Sequence, residues 1–69
     1  MQYYDKALAH LNRSIELDPT GTIAYLYRGL VYEATGREED ATADYSRAIE
    51  LEPGLSDLLA SLRSEIPRR

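Results

Sequence analysis

The sequence predicts an all-α fold, a stack of antiparallel helical hairpins, and three observations predict it. The chain nearly repeats itself at an offset of 34 residues: Ala7, Ala9, Arg13, Ile15, Leu17 and Pro19 recur as Ala41, Ala43, Arg47, Ile49, Leu51 and Pro53. A period of this size marks a helical repeat array, in which one supersecondary unit stacks on copies of itself. Apolar residues recur at helical spacing with no stretch of strand period. Proline and glycine punctuate the pattern at short loops.

Four helices follow in order. The first is expected from about Tyr3 to Leu17, where Tyr4, Leu8, Leu11 and Ile15 lie on one face beside Ala7 and Ser14. Asp18-Pro19 ends it, because proline drives the preceding residue out of the helical region. The second runs from about Thr22, expected as its N-cap, to Thr35. Gly36 then supplies a left-handed stop. The third starts near Arg37 with Glu38, Glu39 and Asp40 in its first turn, where the helix dipole favours anions. It ends at Glu52-Pro53-Gly54. The fourth is expected to start at a Ser56 cap and to stop before Pro67.

Composition narrows the function. At 69 residues with a formal charge of −4, the chain is one small domain with both charge signs interspersed. Nucleic-acid and membrane-surface partners favour clustered Lys and Arg, so neither is expected. The absence of cysteine removes disulfides and thiolate metal sites. With no signal-peptide pattern and no apolar run long enough for a membrane span, the expected location is cytoplasmic.

The stretch from Thr22 to Gly54 resembles a complete tetratricopeptide repeat. That family carries a large aromatic, a Leu-Gly-like pair and Tyr on its helix A, then Ala, an aromatic, Ala and a closing Pro on its helix B. Here they are Tyr25, Arg28-Gly29, Tyr32, Ala41, Tyr45, Ala48 and Pro53. Arg28 departs from the usual leucine. Residues 2–18 resemble a B helix alone, through Tyr4, Ala7, Leu11, Ser14 and Pro19. Residues 55–66 resemble an A helix, with Leu59 and Ile66 at the large positions but Arg63 where glycine belongs. The resemblance implies a short right-handed α-solenoid made of a lone B helix, one full repeat (22–54) and an A-like cap. It also implies a protein-interaction scaffold rather than an enzyme. Small Gly29, Ala41 and Ala48 against large Tyr25, Tyr32 and Tyr45 meet the same demand on physical grounds, since an interdigitated core alternates bulk.

The ends are unequal. Leu55, Leu58, Leu59, Leu62 and Ile66 are expected to form one apolar stripe of a capping helix, whose Arg63 would obstruct another B helix. Ala7 marks a strip on the first helix that lacks cover. Either the chain is a slice of a longer solenoid, or a second copy covers that strip, with two-fold pairing less crowded than head-to-tail stacking. Helix A is also apolar around most of its circumference. Ile23, Leu26, Tyr27, Leu30 and Glu33 fall on a strip that the resemblance places on the inner, peptide-binding surface. These five are the candidate protein-binding residues, the alternative being burial against neighbouring helices. The partner is a protein or peptide, or a second copy in a homodimer.

Other chemistry finds little support. Some family members hold the C-terminal carboxylate of heat-shock chaperones in a clamp of Lys and Asn, but Tyr27, Asp57 and Ser61 occupy the matching places. His10, the single histidine, has Lys6 and Ser14 a turn away, which is no metal set. No nucleophile stands beside it. Asp40 with Asp44, and Glu38 with Glu39, are read as a solvated polar face rather than acid–base pairs. Asn12-Arg13-Ser14 lies within a helix and is discounted as a glycosylation site. No catalytic, cofactor or metal residues are expected.

Overall fold

A computed structural model describes residues 2–64. Four helices follow one another: α1 (Gln2–Leu17), α2 (Thr22–Ala34), α3 (Glu38–Leu51) and α4 (Leu55–Arg63). Helix α2 packs against α1 on one side and α3 on the other, and α4 packs against α3. The stack measures 28 × 26 × 17 Å.

Local chemistry sets the helix ends. After α1, the Asp18 carboxylate accepts from the backbone N–H of Thr20 at 3.1 Å and from its hydroxyl at 2.7 Å. This side-chain turn redirects the chain at Pro19. The hydroxyl and the backbone N–H together hold the Asp18 carboxyl below its ordinary range. The end of α2 is a Schellman motif: Gly36 N–H donates to Glu33 O at 3.1 Å and Arg37 N–H to Tyr32 O at 2.8 Å. Gly36 has φ 85°, a conformation that costs a residue with a Cβ. Glu38, Glu39 and Asp40 occupy the first turn of α3 as expected.

Two expected caps are corrected. Gly21 precedes α2 and no side chain caps it, so Thr22 is already helical. Helix α4 begins at Leu55 rather than after Ser56, because Leu55 is drawn into the core. The stripe on α4 is also narrower than expected. Leu55 and Leu59 are buried and Leu62 is partly so, whereas Leu58 faces solvent. Ile66 lies outside the described residues.

The core sits where α2, α3 and α4 meet, and comprises Leu26, Ala41, Tyr45, Ala48, Leu55 and Leu59. Its tightest point is Gly29. A Cβ there would lie 2.5 Å from Cε1 and 2.7 Å from Cδ1 of Tyr45. Tyr45 is itself buried, and its hydroxyl donates to Glu33 Oε1 at 2.7 Å, so the ring is fixed. No described side chain of α1 belongs to the buried set.

Candidate protein-binding face

The candidate residues on α2 separate into three groups. Ile23 and Tyr27, one helical turn apart on α2, are 48% and 51% exposed. Leu30 is half-buried and touches the edge of the core. Leu26 is corrected: at 1% exposure it is the most enclosed large side chain of the core and faces no partner. It sits one step round the helix toward Gly29, where the α3–α4 side covers it. Glu33 is half-buried and accepts the hydrogen bond from Tyr45, so it serves the repeat's own packing.

Tyr27 and Leu30, with Val31, form one wall of an open groove of about 400 Å³. Helix α1 supplies the other wall through Tyr3, Tyr4, Ala7 and Leu11, with exposed His10 alongside. The sequence reading placed the candidate residues on α2 and, separately, an uncovered strip at Ala7 on α1, without joining the two. The second wall was legible in the repeat, since Leu11 and Ala7 stand 34 residues before core Tyr45 and Ala41.

A polar cluster behind this face was not foreseen. Asp44 is corrected from a solvated carboxylate to a residue 4% exposed. Arg28 reaches it with two parallel bonds, Nε to Oδ2 at 2.7 Å and Nη2 to Oδ1 at 2.7 Å. The remaining Nη1 donates to Asn12 Oδ1 at 2.9 Å, so one guanidinium ties α2 to both α1 and α3. The hydrogen bond to Asp44 raises the Arg28 pKa further and keeps the group charged. The rings of Tyr25 and Tyr32 lie 5.7 and 5.8 Å from it. An arginine at an apolar position, with an acid on the helix it packs against, was the available signal.

Among the described residues no cluster of His, Cys, Asp or Glu is arranged to hold a metal ion, and no helix is long and apolar enough to cross a membrane. The face is an open groove with largely apolar walls between α1 and α2.

Comparison with known proteins decides the family. One model, described as TPR repeat, matches residues 2–36, and a second, tetratricopeptide repeat, matches residues 22–55. The chain belongs to the tetratricopeptide-repeat family. Its helices form a helical repeat solenoid and a protein-interaction module. Curated relatives include a UDP-N-acetylglucosamine–peptide N-acetylglucosaminyltransferase of Giardia intestinalis, 46% identical over 70% of this chain and 3% of that protein. The DnaJ protein P58IPK homolog B of rice is 38% identical over 84% of this chain and 12% of that protein. The Protein STIP1 homolog of Dictyostelium discoideum is 40% identical over 77% of this chain and 9% of that protein. The chain thus spans a small fraction of the length of these relatives. No solved structure matches it.

Proposed function

We propose that this repeat binds a protein segment through the apolar face of α2 and the groove it shares with α1. The observation that carries the reading is the half-exposure of Ile23 and Tyr27 beside a groove that Tyr27 and Leu30 line. Covering these two side chains stabilises a complex by about 1 kcal/mol each, since each is half-buried already. Association costs make further contacts along the groove necessary. The named relatives differ in their chemistry and share the repeat, which supports binding rather than catalysis as its role.

The test is a displayed peptide library panned against the chain. Selected peptides should lose about tenfold or more in affinity on Tyr27→Glu or Ile23→Glu, because a charge would be buried in the interface. Ala43→Glu, on the exposed side of α3, should leave affinity unchanged. Circular dichroism checks that the variants keep their helix content. Peptides that bind Tyr27→Glu as tightly as the parent would overturn the proposal.

A further inference from the structure

We infer that Arg28 and Asp44 set where α1 lies on the α2–α3 hairpin, with Asp44 acting as a positioning residue through the guanidinium it grips. This placement is independent of what the groove binds.

The geometry of the charges carries it. A guanidinium is planar, and two parallel hydrogen bonds to one carboxylate fix both its position and its plane. Asp44 supplies that grip from a site 4% exposed, with each oxygen 2.7 Å from an Arg28 nitrogen. The direction of Nη1 is then no longer free, and Nη1 donates to Asn12 Oδ1 on α1 at 2.9 Å. The Tyr25 and Tyr32 rings, 5.7 and 5.8 Å from the guanidinium carbon, add cation–π attraction to the same pose. Apolar contact is non-directional, and no described side chain of α1 is buried, so it leaves α1 room to slide. A hydrogen bond from a fixed donor is satisfied in one register.

The repeat supplies the comparison. Thirty-four residues from Asn12, Arg28 and Asp44 stand Ser46, Leu62 and His10, so the trio does not recur. The contact of α3 with α4 repeats that of α1 with α2, and there Leu62 takes the place of Arg28 and packs against the core. An apolar residue therefore suffices to join two helices at this position. Buried ion pairs are often matched in stability by apolar residues of similar volume, and fixing register is their best-attested use.

The chain has no cysteine, so spin labels attach only at Ala9→Cys on α1 and Ala43→Cys on α3, both exposed positions. Pulsed electron resonance then reads the α1–α3 distance in the full chain, and the labelled parent should give one narrow distribution. With Arg28→Leu and Asp44→Leu together, that distribution should broaden or shift by about 2–5 Å, from a small slide to one helical turn, while helix content is retained. Asn12→Ala should have the same effect alone and add nothing to the double variant. Asn12→Asp, which keeps an acceptor for Nη1, should overlay the parent. A double variant or an Asn12→Ala variant that overlays the parent would overturn the inference. So would an Asn12→Ala effect that persists in full beside the double variant, since Asn12 would then act without Arg28. Loss of helix content in the double variant would overturn it too, because the charges would then hold up the fold rather than place α1.

Discussion

At the residue scale, Gly29 and Arg28 carry the fold's specificity. Replacing a helical glycine by alanine ordinarily favours the helix by about 1 kcal/mol. Here the added methyl meets a Tyr45 ring that is buried and hydrogen-bonded. Overpacking costs about 1–3 kcal/mol, so Gly29→Ala should lower stability by about 1 kcal/mol net in a denaturant titration, and a stabilised variant would contradict the packing described. The neighbouring Arg28 spans three helices through Asp44 and Asn12. Removing one partner of a largely buried pair leaves the other charge uncompensated, at a cost of about 3 kcal/mol. Arg28→Leu and Asp44→Ala should each cause such a loss, while the double variant loses much less than the sum. Additive losses would show that the two residues act separately. By contrast Arg13–Glu16 at 3.2 Å and Arg47–Glu50 at 3.3 Å are exposed pairs that repeat in both B helices and contribute little.

At the element scale, the sequence was readable where the determinants are local. Helix identities, the Gly36 stop and the acidic first turn of α3 depend on residues a few positions apart, and the structure has all of them. The starts of α2 and α4 were misjudged. Thr22 and Ser56 are good caps in isolation, yet Gly21 occupies the capping position of α2 and burial of Leu55 pulls α4 forward. The strip on α2 failed at Leu26 because α3 and α4 cover it, and helical periodicity alone does not say what lies opposite. Periodicity missed Asp44 for the same reason: its partner stands 16 residues away on another helix, and only the unusual Arg28 hinted at it. The turn after α1 yields a pH prediction. Hydrogen bonds from Thr20 depress the Asp18 carboxyl in the folded chain. The stabilisation is then fully present above the unfolded value and is lost as pH falls through the folded one. The melting-temperature gap between parent and Asp18→Ala should hold steady near neutrality and shrink as the pH drops below 3.8, the ordinary value. A gap unchanged far into acid would rule out the carboxylate as its source.

At the scale of the whole molecule, the two B-type helices form an internal control. Helices α1 and α3 share their small and apolar positions 34 residues apart, yet only α3 lies between neighbours on both sides. Burial is therefore distributed unevenly: the core lies where α2, α3 and α4 meet, and no described side chain of α1 is buried. The same imbalance leaves Ala7 and Leu11 lining a groove beside Tyr27 and Leu30, so the proposed binding face runs along the helix without a buried side chain.

Amide hydrogen exchange of the free chain, read residue by residue, tests this most directly. The account predicts that amides at Leu11 and Ser14 exchange at least about tenfold faster than those at Tyr45 and Ala48. Equal protection at these matched positions would mean that α1 is covered as fully as α3, and would contradict the open groove on which the binding face depends.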